Sequence, residues 1–194
     1  EYEATQAIDL DRPEARANLA LLRIRQGRRD EAEVQYLAAL RLDPSAAAIA
    51  AQLADLYRRT GREAQAELLL RRTLAATPDA AIAHHALGLS LIRQKRLGEA
   101  LSELKAASEG DPATARFAFV YAVALQSAGR ASEARSLLEA AFARHPADAD
   151  IALALLQGAL QTGDGAEALA LAQRLVLLRP DDQRLAELAE RLRR

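Results

Sequence analysis

Residues 45–78 read SAAAIAAQLADLYRRTGREAQAELLLRRTLAATP, and the reading of this stretch decides the fold. Its first half places Ile49, Leu53 and Leu56 at steps of four and three, with Tyr57 beside Leu56. Its second half does the same with Ala66, Leu69, Leu70 and Leu74. Apolar residues at these steps mark one face of an α-helix. Gly61 separates the halves, and glycine tolerates the left-handed conformation that closes a helix. Pro78 ends the stretch; with no amide donor and a fixed φ, it suits a turn between helices. The stretch is a helical hairpin.

The same punctuation recurs on both sides. Pro44, Pro78, Pro112, Pro146 and Pro180 stand 34 residues apart, and Pro13 precedes them. Gly27, Gly61, Lys95, Gly129 and Gly163 keep the same step, as do Ala32, Ala66, Ala100, Ala134 and Ala168. The small alanine sits where two helices must approach closely, since a larger side chain would overpack the contact. A fixed period of this kind is the signature of a repeat architecture. Five hairpins are expected, over 13–44, 45–78, 79–112, 113–146 and 147–180. Residues 1–10 read as the end of a preceding helix. Residues 181–194, with Leu185, Leu188 and Leu192 on one side, read as an amphipathic capping helix. No linker or low-complexity tract interrupts 1–194, so a single array is expected.

Composition agrees and excludes several functions. Of 194 residues 51% are apolar, mostly Ala and Leu, which favour helix over strand. The chain is read as all-α. Its 26 basic and 27 acidic side chains leave a net charge of −1, with no Lys/Arg-rich block of the kind that grips nucleic acid. Cysteine is absent, which excludes disulfides and thiolate chemistry. No stretch approaches the roughly 20 apolar residues of a membrane span. Glu1 opens without Met in what reads as mid-helix, so the sequence is expected to be a piece of a longer or processed polypeptide.

The repeat resembles the tetratricopeptide repeat. That family places a large apolar residue, a small one, a bulky one, a turn glycine, then alanine and proline. Repeat two shows Leu53, Ala54, Tyr57, Gly61, Ala66, Leu70 and Pro78; repeat four shows Tyr121, Ala122, Leu125, Gly129, Ala134, Leu138, Ala141 and Pro146. Repeat three follows with Leu87, Gly88, Leu91, Ala100, Leu104, Ala107 and Pro112, and repeat one with Leu19, Ala20, Gly27, Ala32, Tyr36, Ala39 and Pro44, Arg23 replacing an apolar residue. Repeat five departs: Leu156 holds the small position, Ala159 the bulky one and Leu175 another small one, so looser packing is expected there. The resemblance implies a right-handed solenoid and a protein-binding role. Segments such as NLALLRIRQGRRDEA and HHALGLSLIRQKR are also similar to the repeat region that follows a multihaem cytochrome c module in some bacterial proteins. That likeness implies a periplasmic setting, with a cytoplasmic one as the alternative. No Cys-x-x-Cys-His motif is present to attach haem.

No catalytic or cofactor site is expected. His84 and His85 are adjacent and point about 100° apart on a helix, which is not metal-ligand spacing. His145 falls in a turn, and Gly163-Asp164-Gly165 lacks the Lys-Ser/Thr of a phosphate loop. All of these read as structural.

In the family the first helix of each hairpin lines a groove, which assigns a stripe to each repeat. Repeat one offers Leu21 and Ile24, repeat two Arg58 after Asp55, and repeat three Ile82, His85, Leu89 and Ile92. Repeat four offers Arg116, Phe119, Val123 and Gln126, and repeat five Leu153 and Gln157. His85, Leu89, Phe119 and Val123 are expected to form a mainly apolar floor, with Arg59, Arg93 and Arg116 around it. The Asn position of the family's carboxylate clamp is Leu21, Asp55, Leu89, Val123 and Gln157 here, so that clamp is absent. A peptide or protein segment with apolar anchors is the expected ligand. Self-association is one alternative and single-stranded RNA binding, disfavoured by charge, another.

Overall fold

A computed structural model describes residues 11–193. The helix expected over residues 1–10 lies outside the described residues. Among those described, all regular structure is helical, in eleven helices. They form two compact units, the first ending at Gly110 and the second beginning at Asp111.

The first unit holds three hairpins: α1 (Pro13–Arg25) with α2 (Arg29–Leu42), α3 (Ala47–Arg59) with α4 (Glu63–Ala76), and α5 (Ala81–Arg93) with α6 (Leu97–Gly110). The second holds α7 (Ala115–Ser127) with α8 (Ala131–Arg144), α9 (Ala149–Thr162) with α10 (Gly165–Leu178), and the terminal α11 (Gln183–Arg193). Each helix boundary falls at the punctuation that the sequence provides.

The glycine ladder sets the turn inside each hairpin. Gly27, Gly61, Gly129 and Gly163 all have φ between 75° and 77°. In each case the next residue donates its amide back to a carbonyl in the last helical turn, as Arg62 does to Tyr57 at 2.8 Å. This is a Schellman closure, which satisfies a carbonyl that the helix end leaves free. Lys95 adopts the same shape at φ 63°.

The alanine ladder is buried in every hairpin: Ala32, Ala66, Ala100, Ala134 and Ala168 are all at 0% exposure. Around it pack Tyr36, Leu53, Leu70, Leu87 and Leu104 in the first unit, and Leu125, Leu138 and Ile151 in the second. Burying one such side chain contributes roughly 1.5–3 kcal/mol. Every hairpin therefore holds a small core of its own, and neighbours inside each unit extend it.

The looseness expected of repeat five is not found. Leu156, Ala159, Ala172 and Leu175 are all at most 1% exposed. The corresponding residues of repeat four are Ala122, Leu125, Leu138 and Ala141. Large and small are inverted at all four places, so the two helices exchange volume and the core stays filled. Helix α11 buries Leu185 and Ala189.

Candidate functional site

The first helix of each hairpin is amphipathic in an unusual sense, because the stripe turned away from its core keeps apolar side chains. In the first unit Leu21 and Ile82 are 37% and 40% exposed, and Ile92 is exposed as well. Ile24 and Leu89 are half-buried. In the second unit Val123 and Leu160 are exposed, while Phe119 and Leu153 are half-buried. Gln126, Gln157 and Arg116 are exposed beside them.

His85 departs from the expected floor, being buried at 7% exposure. Helix α5 packs against α3, α4 and α6, so more of its circumference is covered than in an outer hairpin. His85 and Leu89 belong to the first unit, and Phe119 and Val123 to the second.

Each unit carries a hollow on this stripe. That of the first unit is about 500 Å³ and is lined by Leu21, Ile24, Ala48, Ala51 and Ile82, with Asp55 and Arg59 as charged edges and Tyr36 and Gln52 among the remaining walls. In the second unit a hollow of about 150 Å³ is lined by Phe119, Val123, Gln126, Leu153 and Gln157 together with Asp150.

The arginines expected around the floor are largely engaged. Arg58 donates to Asp55 at 2.7 Å and to the Ala86 carbonyl at 3.1 Å, tying α3 to α5. Arg59 donates to the other Asp55 oxygen at 2.6 Å. Burial works to raise the Asp55 pKa, but these two guanidinium groups hold it below the usual carboxylate range. Arg93 pairs with Glu63. Arg58, Arg59 and Arg93 are thereby held within the chain, whereas Arg29 also lines the hollow of the first unit.

The histidines serve the scaffold. The two ring nitrogens of His84 face a Glu103 carboxylate oxygen at 2.6 Å and the Pro78 carbonyl at 2.8 Å. His145 follows α8 and places Nε2 3.0 Å from the Pro112 carbonyl. Gly163 turns the chain, and Asp164 caps α10 by accepting the Glu167 amide at 3.0 Å. Among the described residues no group of three His, Asp or Glu side chains is placed to hold a metal ion. No helix among them is long and apolar enough to cross a membrane.

Buried polar atoms of the first unit escaped the sequence reading, Arg16 Nε among them. The Tyr36 hydroxyl and Gln52 Oε1 are buried with no hydrogen-bond partner. The available signal was Tyr36 itself, which stands where the next three repeats have Leu70, Leu104 and Leu138.

Tetratricopeptide repeat profiles match residues 17–81, 52–115, 91–141 and 125–192. No curated protein matches the chain in sequence. Among solved structures, yeast Tom70 superposes with a TM-score of 0.82 at 21% identity, covering 96% of this chain and 41% of its own. Pseudomonas aeruginosa PilF gives 0.77 at 22% identity, covering 93% and 82%. YrrB, a tetratricopeptide repeat protein described as having an unusual peptide-binding site, gives 0.63 at 22% identity, covering 94% of each chain.

Proposed function

The chain belongs to the tetratricopeptide repeat family, and from that premise we propose that it is a protein-interaction scaffold that seats a partner segment on the open stripes of its first helices. Members of this family are in general binding scaffolds rather than enzymes. The observation that carries the reading is the set Leu21, Ile82, Ile92, Val123 and Leu160, all apolar, all exposed and all on the stripe of a first helix that runs at steps of three, four and three, three of them in the first unit and two in the second. Exposed apolar residues gathered on one face favour a partner that removes them from water. The peptide-binding site in the description of YrrB points the same way. The near-neutral charge and the internally paired arginines favour a partner held by apolar anchors over one held by charge.

The test is a pair of double variants, one for each unit. Leu21→Arg with Ile82→Arg alters the first stripe, and Phe119→Ala with Leu153→Ala the second. Loss of binding to a partner isolated from the native host, with helical circular dichroism retained, is the expected result for at least one pair. Binding that survives both pairs places the interaction elsewhere. Light scattering on the same samples identifies self-association, in which case the seated segment comes from a second copy.

A further inference from the structure

The hollow of the first unit is lined by residues that hold buried polar atoms without a partner. Tyr36 is fully buried, yet its hydroxyl meets no donor or acceptor of the described chain. Gln52 Oε1 is in the same condition, and both residues line the hollow with Leu21, Ile24 and Ile82. The hydroxyl lies near enough to Asp55, another lining residue, for that charge to act on it: burial first, then Asp55, pushes its pKa up to about 12. It therefore stays protonated and available as a donor at neutral pH.

Tyr36 is an exception to the hairpins that follow it, and Gln52 keeps an amide that those hairpins lose. The position of Tyr36 is Leu70, Leu104 and Leu138 in the following hairpins, and the position of Gln52 is Asn18 in the preceding hairpin and Ala86, Val120 and Ala154 in the following ones. A leucine and an alanine would satisfy the packing without cost, whereas a buried polar atom without a partner costs roughly 1–3 kcal/mol. The chain bears that cost on two neighbouring hairpins, at Tyr36 of α2 and at Gln52 of α3, and both residues line the same hollow.

Resting on the groove reading above, we propose that this hollow is a subsite for a neutral amide flanked by an aliphatic side chain, as an internal Asn or Gln of a partner peptide supplies. An amide N–H donates to Gln52 Oε1 while its carbonyl accepts from the Tyr36 hydroxyl, so one planar group answers both. A carboxylate can accept from the Tyr36 hydroxyl but has no donor for Gln52 Oε1, so it answers one of the two groups where an amide answers both. Arg29 and Arg59 also line the hollow, and Arg59 is already paired with Asp55. The aliphatic flank packs on Leu21, Ile24 and Ile82.

The experiment selects random internal peptides, displayed with both ends fused, on the immobilised full chain. Enriched peptides are expected to carry Asn or Gln next to an aliphatic residue. For the tightest of them, changing that Asn or Gln to the matching acid should weaken binding roughly tenfold, the equivalent of one lost hydrogen bond with its desolvation. Tyr36→Phe with Gln52→Leu should weaken the amide peptide to a similar degree and remove its preference over the acid. In the free chain Tyr36→Phe should leave the denaturation midpoint unchanged or raise it. A lowered midpoint overturns the proposal, because the hydroxyl then has a partner inside the chain. Binding that survives the Tyr36/Gln52 pair but is lost with Leu21→Arg and Ile82→Arg overturns the subsite and leaves the groove. Binding that survives both pairs, or no enrichment at all, overturns both.

Discussion

The Arg96 amide donates to the Leu91 carbonyl at 3.0 Å, closing the third hairpin around a left-handed lysine, Lys95. The matching bonds of the other hairpins, Arg28 to Arg23, Arg62 to Tyr57, Arg130 to Leu125 and Asp164 to Ala159, close around glycine. One backbone shape thus serves all five turns, and only Lys95 carries a Cβ in it. That conformation costs a non-glycine residue roughly 1 kcal/mol or more. Lys95→Gly removes the strain, and the extra freedom of glycine in the unfolded chain offsets part of the gain. A net stabilisation of a few tenths to about 1 kcal/mol is expected from denaturant titration. Gly61→Lys should move the midpoint the other way; equal signs for the two would refute a shared turn.

The inverted core of repeat five gives a second prediction. Leu156→Ala alone opens a cavity at a site 1% exposed, and should cost about 2–5 kcal/mol. Ala159→Leu alone overpacks and should cost about 1–3 kcal/mol. Exchanging all four residues to the pattern of repeat four, L156A/A159L/A172L/L175A, restores the volume and should recover much of the loss. Additive losses in the fourfold variant would mean that these residues do not share one core.

That inversion also shows where the sequence stopped being legible. Proline, glycine and the invariant alanine act through backbone geometry and helix approach, so each position declares its own role and the hairpin boundaries could be read directly. Leu156 and Ala159 looked misplaced one at a time. Their fit depends on Ala172 and Leu175 across the hairpin, which is a tertiary relation. The stripe of first-helix residues followed from register. The burial of His85, the bond of Arg58 to the Ala86 carbonyl, and the orphaned Tyr36 hydroxyl depend on neighbouring hairpins and did not.

Acid should weaken the contact between the second and third hairpins. Glu67 on α4 accepts from Arg96 at 2.7 Å, Arg71 at 2.9 Å and Gln94 at 2.9 Å. Burial tends to raise its pKa, but these hydrogen bonds outweigh it and hold the carboxyl below the usual glutamate range. A depressed pKa in the folded chain means that the unfolded chain binds the proton more readily. The contribution is therefore complete above the ordinary glutamate range and fades as pH falls through the lower folded value. Glu67→Gln should destabilise by about 1 kcal/mol at pH 7, a figure reduced for the exposure of its arginine partners. The gap from wild type should close on acidification; a gap that widens there contradicts the assignment.

Two glycines inside helices should respond oppositely to the same substitution. Gly88 lies in α5 at the small position that Ala20, Ala54 and Ala122 occupy elsewhere. A Cβ built there falls 2.6 Å from Leu104 Cγ and 2.7 Å from its Cδ2, closer than packed carbons can sit. Leu104 is fully buried, so α5 and α6 would have to part. Gly158 lies in α9, where a Cβ meets nothing within 4 Å, beside a hollow of about 330 Å³ that Leu138 and Leu155 also line. Its counterparts are Leu56, Ser90 and Ala124, so larger side chains are accommodated at this register. In a helix interior alanine is favoured over glycine by roughly 0.5–1 kcal/mol. Gly158→Ala should gain about that amount. In Gly88→Ala the same gain is outweighed by overpacking of about 1–3 kcal/mol, leaving a net loss. Urea denaturation of the two variants beside wild type decides the matter. Stabilisation by Gly88→Ala would mean that α5 and α6 are not in the contact described, and destabilisation by Gly158→Ala would mean that the space beside α9 is filled.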